Sequence, residues 1–109
     1  TCIRDYIHVT DLAIAHYDAL EYLKNNGKSD IFNLGTGKGF SVLEMLQKTE
    51  EVIGHKIPCS FTSRRAGDPA VVAACADKAK KVLNWQAQNS DLENIINTTW
   101  AVYKTSQIK

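Results

Sequence analysis

The stretch Asp30-Ile31-Phe32-Asn33-Leu34-Gly35-Thr36-Gly37-Lys38-Gly39-Phe40-Ser41-Val42-Leu43-Glu44 carries the signs of a strand, a turn and a helix start in direct succession. Ile31 to Leu34 is short and apolar with a β-branched and an aromatic residue, which predicts a strand. It stops at the glycines of residues 35–39, which predict a tight turn. Ser41 and Glu44 then have capping-box spacing: the Ser hydroxyl can accept from the third helical N–H while the Glu carboxylate reaches back to the cap's own N–H. A helix running to about Gly54 follows, with Val42, Met45, Leu46, Val52 and Ile53 toward the core and Lys48, Glu50 and Glu51 in water.

Outward from this unit the pattern stays mixed. Ile3 to Val9 reads as a short extended segment, and Thr10 and Asp11 offer helix-start oxygens. Leu12, Ala15, His16, Ala19, Leu20 and Leu23 recur at helical spacing up to the stop signal Asn25-Asn26-Gly27. Downstream, residues 57–62 suit an edge strand entered through Pro58, and residues 63–69 form a polar loop. After the apolar run of residues 71–74, Asp77 is placed to cap a brief helix through Leu83. Ser90-Asp91-Leu92-Glu93 repeats the capping-box spacing before a last helix with Leu92, Ile95, Ile96, Thr99, Trp100 and Tyr103 on one face. Trp85 and Trp100 read as core. The expected fold is a small α/β lobe, mostly helical with a few short strands.

With 109 residues, 44% apolar and 23% charged, the chain falls in the globular range and is too short for more than one domain. A piece of a larger fold would leave apolar surface uncovered, and that is expected here. The missing initiator Met suggests that the natural start lies upstream. Thirteen Lys plus Arg against twelve Asp plus Glu leave a net charge of +1, so no global field recruits nucleic acid or an anionic membrane. Cys2, Cys59 and Cys75 are odd in number and widely spaced, which suits a reducing cytoplasm better than a disulfide or zinc framework. No stretch reaches the roughly 18 apolar residues of a membrane span.

Three places carry candidate chemistry. Residues 35–39 stand where a dinucleotide fold puts its phosphate-binding glycines, but the spacing is G-x-G-x-G and the region His55 to Phe61 has no acidic residue to hold a ribose. A structural turn and a turn lining a nucleotide cleft both remain open. In Ser63-Arg64-Arg65-Ala66-Gly67-Asp68, two adjacent guanidinium groups on a glycine-containing loop suit multidentate phosphate recognition, with Asp68 free for ribose hydroxyls. A solvated Arg pair with Asp68 bonded to one of them is the other reading. Arg4, Tyr6 and His8 share one face of their extended segment, where Arg4 is either a functional cation or an ordinary ion-pair partner. His8 has no nucleophile or carboxylate spaced to use it and reads as a hydrogen-bonded, partly buried side chain.

Arg4-Asp5-Tyr6-Ile7-His8-Val9 with Asp11-Leu12-Ala13, then Asn33-Leu34-Gly35-Thr36-Gly37, then Arg64-Arg65-Ala66-Gly67-Asp68-Pro69 and Leu83-Asn84-Trp85, taken in this order, resemble the C-terminal third of the UDP-glucose 4-epimerase family of extended short-chain dehydrogenases/reductases. The resemblance implies that residues 1–109 are a C-terminal UDP-sugar-binding domain, and that the N-terminal Rossmann domain holding NAD lies outside this chain. It implies phosphate contacts for Arg4 and Arg65 and a ribose contact for Asp68, and it assigns no cofactor role to residues 35–39. The whole protein is then expected to interconvert UDP-glucose and UDP-galactose, with a UDP-sugar as partner and a homodimer as assembly. A related epimerase or dehydratase, or a non-catalytic nucleotide-binding module, are the alternatives. Some members of the family carry an aromatic residue four positions after the loop Asp, where this chain has Val72. Catalysis in the family is associated with a Tyr-x-x-x-Lys pair. Four residues after Tyr6, Tyr17, Tyr22 and Tyr103 stand Thr10, Glu21, Asn26 and Gln107, so no catalytic residue and no bound NAD are expected in this chain.

Overall fold

The computed structural model describes residues 1–107. Seven elements follow one another: β1 (Ile3–Arg4), α1 (Val9–Lys24), β2 (Phe40–Ser41), α2 (Val42–Ile53), β3 (Val71–Val72), α3 (Asp77–Leu83) and α4 (Leu92–Gln107). The strands form one small sheet in the order β2-β1-β3. β1 runs antiparallel to β2, with Ile3 opposite Ser41 and Arg4 opposite Phe40, and parallel to β3, with Ile3 opposite Val71 and Arg4 opposite Val72. The helical α/β lobe read from the sequence is the one observed.

The capping box at α2 forms as its spacing requires. Glu44 N–H donates to Ser41 Oγ at 3.0 Å, and Ser41 N–H donates to Glu44 Oε2 at 2.6 Å. Gly54 ends the helix in the left-handed region at φ 85°, where a side chain would be strained. Ser41→Ala is expected to cost about 1 kcal/mol of stability, seen as a lower urea midpoint. Of the intended core face, Val42 is exposed and Met45, Leu46, Val52 and Ile53 are half-buried, because α2 packs chiefly on α4, with β2 beside its start, rather than into the centre.

Three caps differ from the sequence reading, those of α1 and α4 for one shared reason. α1 is capped by His8, whose Nδ1 accepts from Thr10 N–H at 3.0 Å, and neither Thr10 nor Asp11 does so. The Asp11 side chain instead turns into the interior. There it takes the Ser90 hydroxyl, so Ser90 cannot cap α4, and Asp91 Oδ2 accepts the Asn94 N–H at 3.0 Å in its place. α3 starts after Ala76 with no side-chain cap, and Asp77 is its first helical residue. A buried carboxylate outbids a helix terminus for a hydroxyl because its unmet bonds would cost more than those of a terminus in water.

Two expected strands are unpaired among the described residues. Residues 31–34 are extended and alternate as a strand does, with Phe32 and Leu34 turned toward the core and Ile31 and Asn33 exposed, but no neighbouring strand bonds them. Residues 57–62 are exposed except Ile57, whose N–H goes to Glu50 Oε2 at 3.0 Å, and Pro58 has no N–H to give a ladder.

The core is small: Ala15 of α1, Ala79 of α3 and Trp85 are buried, with Ile7, Phe32, Leu34 and Leu83 packed around them. Trp85 is the core residue expected, whereas Trp100 is half-buried and stacks on Tyr103 with ring centroids 5.5 Å apart. On α4, Leu92 and Ile96 are buried as read, while Thr99 and Tyr103 are exposed. On α1, Leu12 and Ala19 are half-buried, but His16, Leu20 and Leu23 lie in solvent, so only part of the predicted stripe packs. The uncovered apolar surface expected of a partial fold is therefore present.

Candidate functional site

β1 lies in the middle of the sheet and so fixes Arg4 against both neighbours. Its Nη1 donates to the Ile3 carbonyl at 2.8 Å and its Nη2 to Asp68 Oδ1 at 2.8 Å. The loop of residues 63–69 reaches this point because Gly67 adopts φ 77° and Asp68 N–H closes a turn onto the Arg65 carbonyl at 3.3 Å. Immediately after the loop, Ile3 N–H bonds the Ala70 carbonyl at 2.8 Å, tying β3 to β1. Arg65 Nη2 donates to the second oxygen of Asp68 at 3.2 Å.

Arg4, Arg65 and Asp68, 61 residues or more apart from first to second, thus converge, with Asp68 between two guanidinium groups. Arg4 and Asp68 are half-buried, whereas the Arg65 side chain is 85% exposed. An ion pair as exposed as Arg65–Asp68 contributes little to folding, and its cation can turn to an incoming anion at small cost. Arg64, Arg65 and Asp68 line a cleft of about 550 Å³ that is closed on its other side by Cys2, Leu46 and Phe61. Arg4 joins the cleft through Asp68 and does not line it. Val72 stands beside Arg4 in the sheet register. The arrangement offers two cations and one acceptor at the rim of a partly apolar cleft, which suits a phosphate ester with a hydroxylated, flat-ringed appendage.

The glycine-rich turn is a different matter. Asp5 accepts from the Thr36 N–H at 3.1 Å, from the Thr36 hydroxyl at 2.6 Å, from the Gly37 N–H at 3.1 Å and from the Ala74 N–H at 3.2 Å. Burial pushes the Asp5 carboxyl up, but the Thr36 hydroxyl and the three backbone N–H groups outweigh it and hold it below the usual aspartate range. A β-carbon on Gly35 would sit 2.7 Å from both the Ala74 side chain and Asp5 Oδ2, which accounts for that glycine. The donors that could cradle a pyrophosphate are taken by the chain's own carboxylate, so residues 35–39 do not fit a dinucleotide. A larger cavity of about 660 Å³ beside this turn contains none of the three site residues.

The sequence reading missed Asp5 and Asp11 as the polar centres of the fold. The only available signal was two aspartates near the start facing a Thr-Gly turn and an Asn-Ser pair far downstream, and pairing across such distances is invisible in a linear pattern. His8 is satisfied, as read: besides capping α1, its Nε2–H donates to Thr98 Oγ1 at 2.8 Å, because that hydroxyl already gives its proton to the Asn94 carbonyl. Among the described residues no group of acidic, His or Cys side chains could hold a metal ion, and no helix is long and apolar enough to cross a membrane.

No family model matches the chain. Individual proteins do. The chain is 48% identical over 104 residues to a UDP-glucose 4-epimerase of Halalkalibacterium halodurans, covering 95% of this chain and 31% of that protein. A UDP-glucose 4-epimerase structure from Stenotrophomonas maltophila, with bound NAD and formylated UDP-arabinopyranose, superposes with a TM-score of 0.91 at 42% identity, over 98% of this chain and 32% of that one. Another UDP-glucose 4-epimerase structure superposes with a TM-score of 0.94 at 46% identity over the same shares. Sequence and fold together match one class, the C-terminal lobe of a nucleotide-sugar epimerase. Within that class the similarity is to UDP-glucose 4-epimerase, and the chain spans about a third of the length of those relatives.

Proposed function

We propose that this chain is the UDP-binding wall of an NAD-dependent epimerase that interconverts UDP-glucose and UDP-galactose. The observation that carries the reading is the convergence of Arg4 and Arg65 on Asp68, at the edge of the cleft that Arg65 and Asp68 line. In this reading Arg65, and Arg4 beside it, donate charge-assisted hydrogen bonds to the diphosphate, and Asp68 is released to accept from the ribose hydroxyls. The anion competes for guanidinium donors that Asp68 now occupies, so binding exchanges one set of charge-assisted bonds for another. Two relatives support the ligand class, since their structures hold a UDP-sugar analogue with NAD in one case and NAD⁺ with UDP in the other.

When bound, NAD supplies oxidation and re-reduction at one carbon of the hexose. Nothing in residues 35–39 fits it, so it belongs to the part of the enzyme outside this chain, an N-terminal Rossmann domain. Every role assigned to this chain is one of binding and orientation. The reading includes a cytoplasmic location, consistent with three unpaired cysteines, and a homodimeric whole enzyme.

The test uses the full-length protein supplied with NAD. Arg65→Ala is expected to weaken UDP binding about 10- to 100-fold, the loss of one charge-assisted contact of roughly 1.5–3 kcal/mol, as measured by calorimetry. Absence of epimerisation with either sugar nucleotide, together with UDP binding indifferent to Arg65→Ala, would sink the proposal.

A further inference from the structure

Asp68 puts each of its carboxylate oxygens on a different guanidinium, Oδ1 at 2.8 Å from Arg4 Nη2 and Oδ2 at 3.2 Å from Arg65 Nη2. The two pairs are unlike. The Arg65 side chain is in solvent and can swing to an anion, whereas Arg4 and Asp68 are half-buried. Arg4 stands in β1, the middle strand of the sheet. Asp68 follows Gly67 at φ 77°, and its own N–H bonds the Arg65 carbonyl at 3.3 Å. The carboxylate is therefore the stationary partner and the Arg65 guanidinium the movable one.

A phosphate and Asp68 compete for the same donors. A guanidinium that turns to a phosphate leaves an Asp68 oxygen behind, and the described residues give that oxygen no second donor. Leaving a half-buried carboxylate short of a donor opposes binding of the phosphate itself. A ligand with hydroxyl groups in reach of Asp68 lifts that opposition by donating to the released oxygen. A bare phosphate does not. Sites that hold a polar group for a ligand hydroxyl reject analogues lacking it for this reason. Without such a device, Arg64 and Arg65, both lining the cleft, would draw any polyanion.

We propose that Asp68 is a built-in competing anion that sets the selectivity of this cleft, admitting phosphate esters that carry hydroxyl groups and holding off inorganic phosphates. The proposal rests on the reading that the cleft takes UDP, and it gives Asp68 a role beyond accepting from the ribose: it raises the cost of every anion that brings no donor.

Calorimetry on the full-length protein tests it with two probes, inorganic pyrophosphate and UDP, in the natural protein and in Asp68→Asn. The amide keeps the shape and one acceptor but not the charge. Pyrophosphate is expected to bind Asp68→Asn about 10-fold more tightly, the effect of removing one charge-assisted competitor, while UDP binds no more tightly. Disturbance of the loop alone would weaken both probes, and a mere change in net charge would tighten both. Either result overturns the proposal, as does unchanged pyrophosphate binding. A second measurement needs no variant: 2′,3′-dideoxy-UDP is expected to bind the natural protein at least about 10-fold less tightly than UDP, and equal binding overturns the proposal. A natural protein that binds no UDP refutes the functional reading instead, and the pyrophosphate comparison then decides the competing role of Asp68 by itself.

Discussion

Replacing Asp11 with Ala is expected to destabilise the protein by about 3–5 kcal/mol, among the largest effects of any single change. The residue is 1% exposed, yet its carboxylate accepts from Gln88 N–H at 3.1 Å, Asn89 N–H at 2.9 Å, Asn89 Nδ2 at 3.0 Å and Ser90 Oγ at 2.5 Å. Truncation leaves the buried Ser90 hydroxyl without its acceptor, at roughly 1–3 kcal/mol before relaxation, and removes the part-buried bonds from Gln88 and Asn89 as well. Through Ser90, which also accepts the His8 N–H at 2.9 Å, the same carboxylate anchors the junction of the first extended segment with α1. Asp11→Asn keeps one acceptor oxygen and is expected to lose less. Burial pushes the Asp11 carboxyl up, but the hydrogen bonds from Ser90, Asn89 and Gln88 more than reverse this and hold it below its usual value. A depressed folded-state value means that the carboxylate's contribution is complete above the unfolded value of about 4 and is lost as pH falls through the folded one. Urea unfolding of the full-length protein as a function of pH should therefore show an acid-side decline that is shallower in the Asp11→Ala variant, the remainder coming from Asp5, whose carboxyl is also held below its usual value.

Trp85→Ala is the second large loss, expected at about 3–5 kcal/mol. The indole is 2% exposed and packs between Ala15 and Ala79, two side chains too small to close the cavity it would leave. Its Nε1–H donates to the Asp11 carbonyl at 2.9 Å, so the substitution also strips a buried acceptor. Trp85→Phe retains most of the volume and is expected to cost about 1–2 kcal/mol. The acceptor is the Asp11 backbone carbonyl, which Asp11→Ala keeps, so any departure from additivity in the double variant reports coupling through the position of α1, and chemical denaturation of the four proteins measures it. Both residues act on the site indirectly, since the α1 position they secure determines where β1 enters the sheet and where Arg4 stands.

The two capping-box signals show how far a linear reading goes. Ser41 and Glu44 close on each other because nothing else competes for them in a solvated stretch. Ser90 has the same local spacing and does not cap, because Asp11, 79 residues earlier, claims its hydroxyl. The strand signal in residues 31–34 is sound in its alternation and fails only in its partner, which local propensity cannot supply. The site behaved differently. Arg64, Arg65 and Asp68 are adjacent in sequence and their loop is legible there, but Arg4 is an isolated cation whose place beside Asp68 depends on β1 pairing with β3.

The amino-acid sequence by itself determined the local units: the helices, the glycine stops, the Arg-Arg loop and the absence of a Tyr-x-x-x-Lys pair. Each of these depends on residues within about a helical turn of one another, where propensity and spacing act directly. The tertiary structure alone decided which polar groups became internal. It placed Asp5 in the glycine turn and Asp11 against the amides of Gln88 and Asn89 and the hydroxyl of Ser90, and it set Arg4 against Asp68. Those pairings join segments 31 to 79 residues apart, and the energy that selects them is the cost of leaving a buried donor or carboxylate unmatched.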